Sequence, residues 1–392
     1  MCTNEWVTER IAAELRDPGI GFMDLIQRLD GTSPFEIEQS LQELAPERVP
    51  RSATVRPHAC DPWADILPMP HPVNGGWRFT PASASDLYEL GSRDMRDSDH
   101  LLLFGCPTVA LASRKKEVAC GASVVDVDPG VIATIRHRLP RASAVCCDLR
   151  DLDTEAFAGC RSVVLDPPWY LDDSLAFIAT ACRCLQLGGN LIVVVPPIGV
   201  RKSVQTERQT LLSTAESWGL EFVQLQKSRV QYVAPFFEQQ ALKAARLDFV
   251  PRTWRCGDLI LFRKTRSVHV DFRPQLRRDD WHVCDLNDSR VAIRETAADP
   301  LAGPLDQAVP GGVLPAVSRR DPRLRGVSIW TSGNRVYRSS CPSRIKAAIM
   351  GMSVGTAASP PMHPISDVLQ HLVEVVSEEH TEYLQDGAST NG

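Results

Sequence analysis

The chain has 392 residues, of which 43% are hydrophobic and 23% charged, with a formal net charge of −5. That balance excludes a disordered or collagen-like chain and gives no global pull toward nucleic acid, so any such binding must rest on a local basic patch. No apolar run approaches the roughly 20 residues of a membrane span, and the start MCTNEWVTER lacks the basic-then-apolar order of a secretory leader.

The expectation is a cytoplasmic protein with no membrane partner. Twelve cysteines invite a metal or disulfide reading, yet no C-x2-C pair occurs. They are expected to be reduced, several of them serving as small core hydrophobes, and no metal site is expected.

Residues 1–57 read as a small winged-helix-like domain. Val7, Ile11, Ala12 and Leu15 recur at helical spacing, as do Phe22, Leu25, Ile26 and Leu29. Ser33-Pro34 starts a third helix, with Ser as cap and Pro at the first helical position. A wing strand is expected over residues 49–55. The third helix carries Glu36, Glu38 and Glu43 and no basic residue. Phosphates would repel it, so a protein contact or homodimer interface is preferred there to DNA reading. Residues 58–84, with Pro62, Pro68, Pro70, Pro72 and Pro81, read as a linker that packs on the next domain.

From residue 85 to 265 strand and helix signals alternate, which predicts an α/β, doubly wound, Rossmann-like domain with a parallel sheet. Strands are expected at 101–104, 123–127, 142–147, 162–165 and 191–195, then at 220–225 and 259–263. Their near-continuous apolar runs suit a sheet covered on both faces. Pro196-Pro197 followed by Arg201 and Lys202 is expected to form a mobile basic lip, and Gly257-Asp258 a turn.

Residues 266–350 read as an α+β C-terminal extension. Its stretch 317–346 holds seven Arg and one Lys against the single acid Asp321. Arg319, Arg320, Arg323, Trp330 and Arg335 are candidate substrate contacts there, weighed against an ordinary solvated face. Residues 351–392 are expected to hold one amphipathic helix and a frayed tail.

In a doubly wound sheet, ligands bind beyond the carboxyl ends of the strands. Gly105 and Cys106 follow the first strand. Asp126 ends the second, placed to accept hydrogen bonds from ribose hydroxyls, while Asp128, before Pro129, caps the following helix. Asp148, with Leu149 beside it, ends the third strand, where an acid can meet an adenine amino group. Asp166-Pro167-Pro168-Trp169 follows the fourth strand. Proline fixes φ and restricts its predecessor, so the carboxylate and nearby carbonyls are pre-positioned to receive an –NH2 group. Trp169 or Tyr170 can stack on a ring.

The Asp166–Trp169 tetrapeptide resembles the reacting motif of S-adenosylmethionine-dependent amino-methyltransferases, which modify adenine N6 or cytosine N4. Residues 85–265 resemble the class I methyltransferase fold, with one departure: the first loop holds Gly105 alone where that family has several glycines. The resemblance implies S-adenosylmethionine as cofactor and methylation of an exocyclic amine in nucleic acid. Asp166, Pro167, Trp169 and Tyr170 would then be catalytic, and the basic C-terminal region would contact the polymer. A second resemblance is to branched-chain polyamine synthases, through the glycine-poor first loop, Asp148-Leu149-Arg150 and Asp-Pro-Pro. It implies aminopropyl transfer, with Asp166, Asp172 and Asp173 anchoring a polycation. A third reading is a non-catalytic nucleic-acid- or protein-binding module on the same scaffold.

Overall fold

The computed structural model describes residues 5–29, 32, 34–49, 61–113, 121–244, 253–272, 280–353 and 363–388. Three helices open the chain, α1 (Glu5–Glu14), α2 (Phe22–Arg28) and α3 (Pro34–Leu44). Their apolar stripes meet in one small core of Val7, Ile11, Leu25, Leu29, Ile37 and Leu41, which Leu242 of the next domain joins. Most of the expected wing, residues 50–55, lies outside the described residues. The helical domain also grips the sheet domain: Arg10 and Thr32 both donate to the carbonyl of Gly199.

After a Pro-rich stretch come β1 (Arg78–Phe79), α4 (Pro81–Ser92), β2 (His100–Phe104), α5 (Pro107–Ala112), β3 (Gly121–Asp126) and α6 (Pro129–Arg138). Then follow β4 (Ser143–Cys146), β5 (Cys160–Leu165), α7 (Leu171–Cys184), β6 (Leu185–Val195), α8 (Val204–Ser217), β7 (Leu220–Val233), α9 (Phe236–Ala244) and β8 (Thr253–Lys264). They form an eight-stranded sheet of order β1-β7-β8-β6-β5-β2-β3-β4. Strands β4, β3, β2, β5 and β6 are parallel. Strand β8 runs antiparallel between β6 and β7, and β1 pairs antiparallel with β7. The strand order reverses between β2 and β5, so the crevice opens at their carboxyl ends.

Side chains alternate across the parallel strands. Leu101, Leu103, Val124 and Val164 face α4, α5 and α6. Leu102, Phe104, Val125 and Val163 face α7 and α8. Cys160, Cys182 and Cys184 are core residues on this second face, and burial raises the pKa of each thiol to about 11 or 12. Gly257-Asp258 is no turn. Both lie within β8, where a Cβ on Gly257 would stand 2.6 Å from Val194. Asp258 is buried against Arg208 at 2.7 Å and accepts from the Ser228 amide.

The C-terminal extension is a second sheet, of order β11-β13-β12-β10-β9, backed by helices. Its strands are β9 (Trp281–Leu286), β10 (Ser289–Arg294), β11 (Asp306–Gln307), β12 (Ile329–Thr331) and β13 (Val336–Arg338). Helices α10 (Pro342–Ser353) and α11 (His363–Ala388) pack on it through Ile345, Ile349, Leu369 and Leu372. Glu379 of α11 is buried, accepts from Thr331 Oγ1 and the Gly333 amide, and has its pKa raised to about 7 by burial. No described helix is long and apolar enough to cross a membrane.

One buried ion pair joins the two sheets. Asp128 caps α6 by accepting from Gly130 and Val131, and Arg290 of β10 reaches it with both terminal nitrogens. Asn74 adds a third donor at 3.1 Å. Removing one member of such a pair strands a desolvated charge, whereas removing both does not. Arg290→Met is expected to lower unfolding stability by about 3–5 kcal/mol. Asp128→Ala with Arg290→Met should cost less than the two single changes summed, as read from urea midpoints. A single change that leaves the midpoint in place would show that the pair does not hold the domains together.

Candidate active site

Each side chain of the site is set by the end of a strand. Gly105 leaves β2 with φ of +64°, and a Cβ there would lie 3.3 Å from the Asp166 carbonyl oxygen, so this turn takes glycine without strain. The Gly105 amide donates to Val125 and the Asp166 amide to Phe104, which locks the β2, β3 and β5 ends side by side. Asp126 ends β3 and accepts from the Asp128 amide at 2.9 Å. Burial, with the Asp128 charge adding to it, raises its pKa to about 7.

Asp166 ends β5 and accepts a 2.6 Å hydrogen bond from the Tyr232 hydroxyl. Burial raises the Asp166 pKa to about 7 even though that bond favours the anion. Tyr232 belongs to β7 and is itself fully buried. Burial first, then the adjoining Asp166 charge, pushes its pKa well above the usual phenol range. Trp169 stands edge-to-face on Tyr232 with ring centres 5.8 Å apart, and Trp77 does the same at 6.1 Å.

These groups share one cleft of about 830 Å³ at the mouth of the parallel sheet, a size suited to a nucleoside plus a small second ligand. Gly105, Asp126, Asp148 and Leu149 line one end of it, and Asp166, Pro167, Trp169 and Tyr170 the other. Asp148 is held locally: its carboxylate accepts from the Arg150 amide and side chain. Cys106 is not among the lining residues. Its side chain turns into the core and donates to the Phe104 carbonyl, so its thiol cannot touch a ligand.

The C-terminal extension forms part of the wall. Trp281 and Arg290 border the Asp126 end, while residues 317–320 lie across the other. Ser318 and Tyr170 share a 2.8 Å hydrogen bond, and the Arg320 guanidinium lies 3.9 Å from the Tyr170 ring centre. Arg319 stands 3.8 Å from Asp173, and Arg320 3.6 Å from Asp172. Arg201 also lines the cleft, but its lip is tied down rather than mobile. Glu207 pairs with Arg201, the Gly199 carbonyl is held by the N-terminal domain, and Arg208 donates to Pro196.

Three of the five basic-region candidates lie elsewhere. Trp330 is fully buried, with its indole N–H donated to Asn334 and its ring edge-on to His71. Arg335 pairs with the buried Glu379, and Arg323 with Asp321 of its own turn. The charge run is therefore spent largely on internal pairing, and a continuous substrate face from 319 to 335 does not form.

Tyr232, Trp77, Arg255 and Arg290 also line the cleft, and sequence reasoning gave them no role. Tyr232 lies near the end of β7, and only the pairing of strands brings it to Asp166.

No known family profile matches the chain, and no curated protein resembles it in sequence. Solved structures do share its fold. The branched-chain polyamine synthase from Thermus thermophilus, in complex with N4-aminopropylspermidine and 5'-methylthioadenosine, is 17% identical. It covers 70% of this chain and 97% of its own, with a TM-score of 0.50. A mutein of that enzyme is 16% identical, with coverage of 69% and 95% and a TM-score of 0.51. A geranyl diphosphate methyltransferase in complex with S-adenosylmethionine is 15% identical, covers 47% and 85%, and has a TM-score of 0.33. The strand order, the antiparallel β8 and the likeness to the two synthase structures give the sheet domain the Rossmann-like fold of class I methyltransferases.

The pairs of Arg319 and Arg320 are partly exposed and longer than close ion pairs, so their energy is small. Arg319→Gln with Arg320→Gln is expected to change stability by less than about 1 kcal/mol. Amide hydrogen exchange across 318–324 should nonetheless rise several-fold. Unchanged exchange would show that the two guanidinium groups do not hold this segment.

Proposed function

We propose that this chain is a transferase that binds S-adenosylmethionine at the Gly105–Asp126–Leu149 end of the cleft and methylates an amine nitrogen presented to Asp166. The observation that carries the reading is the Asp166–Tyr232 pair, a carboxyl aimed by a buried hydroxyl at the point where the strand order reverses.

The residues present fit such a cofactor. Gly105 lets main chain approach closely, Leu149 offers an apolar wall, and Asp126 spends one oxygen on Asp128 while keeping lone pairs for ribose hydroxyls. When bound, S-adenosylmethionine would supply an electrophilic methyl group and leave as the thioether S-adenosylhomocysteine, the amine's surplus proton passing to Asp166 or solvent. The protein's share is to hold the amine, direct its lone pair and exclude water. Asp166 accepts the N–H hydrogens and Tyr232 keeps its carboxylate from rotating. Pro167 and Pro168 stiffen the rim, and Trp169 walls the ring of the acceptor.

A nucleic-acid base is less favoured as the acceptor, because Arg323 and Arg335 of the basic stretch are paired within the extension and Trp330 is buried. A small acceptor suits a cleft of about 830 Å³ that a cofactor would share. Aminopropyl transfer is the second reading, favoured by the fold shared with a polyamine synthase over 70% of this chain. It is weakened because Asp172 and Asp173 already face Arg319 and Arg320, and because Arg255 stands near the acceptor end. Each would repel or displace a polycation.

Calorimetry with S-adenosylmethionine and its decarboxylated form separates the readings: methylation needs the first, aminopropyl transfer the second, and a bare scaffold neither. Asp126→Ala is expected to weaken S-adenosylmethionine binding at least about tenfold. Asp166→Asn should cut transfer roughly 100-fold or more while cofactor affinity stays within a few-fold.

Folding favours the protonated form of Asp166, because its folded pKa of about 7 exceeds the unfolded value. This contribution to stability is full below the unfolded pKa and is lost as pH rises through 7. Activity should run the opposite way, rising through that window as the accepting carboxylate forms. A flat rate between pH 6 and 8, with both substrates saturating, would remove Asp166 from the reaction.

A further inference from the structure

Beside Asp166 the cleft contains an aromatic chamber with a second charged group in it. Arg255, paired across the β7–β8 register with Tyr232, projects its guanidinium to 4.7 Å from the Trp77 ring centre and 5.9 Å from that of Trp169. Glu238 takes one terminal nitrogen at 2.9 Å. The Arg255 side chain keeps 20% of its surface exposed and lines the cleft. Trp77, Trp169, Tyr232, Asp166 and Arg255 all line the same opening.

A ligand acceptor that meets the exposed edge of this guanidinium gains a charge-assisted hydrogen bond. The chamber thus has an acceptor at Asp166, a donor at Arg255 and, beside them, the Trp169 indole, which suits a flat ring.

We infer that Arg255 is a specificity-determining residue, and that the amine acceptor is a planar ring bearing both the reacting –NH2 and a hydrogen-bond acceptor such as a carboxylate or ring carbonyl. The amine meets Asp166 and the acceptor atom meets Arg255. This rests on the amine-transferase reading and narrows its substrate. A flexible polycation is disfavoured twice, by the guanidinium charge and by lack of a ring for the Trp169 indole. A plain arylamine lacks the group that would satisfy Arg255.

The test measures acceptor binding without any methyl donor, by saturation-transfer NMR and calorimetry on the full chain. The probes are 4-aminobenzoate (anionic acceptor), adenosine (neutral ring acceptors), aniline (none) and spermidine. One of the first two is expected to bind about tenfold or more tighter than aniline and spermidine. Which of them does so tells a charged acceptor group from a neutral one.

In Arg255→Gln and Arg255→Lys that preference over aniline should shrink to within about threefold, since neither keeps the planar fork. Equal binding of aniline, tighter binding of spermidine, no binding by any probe, or an undiminished preference in both variants would each overturn the inference. Binding of S-adenosylmethionine is measured in parallel. Retained affinity certifies that the variants fold, and its absence in the unaltered chain would sink the transferase reading independently of the acceptor data.

Discussion

The whole arrangement depends on Arg290 reaching from the second sheet to Asp128 at the end of the first. Both charges are buried, and burial is tolerable only because two guanidinium nitrogens, Asn74 and two helix amides all converge on one carboxylate. The same aspartate donates its amide to Asp126. Docking of the C-terminal extension and placement of the Asp126 carboxylate are therefore a single event. Were the pair absent, Trp281 and residues 317–320 would be held at the cleft by weaker contacts such as Ser318–Tyr170 and Arg319–Asp173.

The two flanking domains act on opposite rims. The helical domain holds the loop after β6 through the Gly199 carbonyl, and that loop presents Arg201 beside Tyr170. The extension reaches the same tyrosine through Ser318 and Arg320. His71 ties the Pro-rich stretch into this frame. Its ring is buried, bonded to the Trp330 carbonyl and the Val73 amide, and burial lowers its pKa to about 3, which keeps it neutral. Tyr383 of α11 closes the circuit by bonding to Asp61.

Much of this was legible from residue order. Apolar runs such as Leu101–Phe104 admit few alternatives to a buried parallel strand, and acids at successive strand ends point to the ligand crevice. Asp128 was readable as a helix cap because Pro follows it. Local pattern does not report pairing across the chain. Tyr232 and Asp166 are 66 residues apart, and Arg290 and Asp128 are 162 apart. Nothing near either tyrosine or arginine marks the partner.

The basic stretch misled for the same reason. Arg335 and Trp330 look like a contact surface until Glu379, 44 residues beyond Arg335, arrives on α11 to neutralise one and the hairpin encloses the other. Gly257 misled differently. A glycine before an acid suggests a turn, whereas here it makes room for the Val194 side chain.

The geometry of β1, β7 and β8 has a consequence for how such a chain can diversify. Trp77, Tyr232 and Arg255 all sit on this antiparallel flank, whereas Gly105, Asp126 and Leu149 follow the parallel strands. On the proposed reading, Asp166 and Trp169 after parallel β5 receive the amine, while the groups that select its surroundings lie on the antiparallel flank. Mutational drift along the flank can re-tailor what is modified while the groups that hold the methyl source stay untouched, so descendants of one ancestor can change clientele without relearning their chemistry.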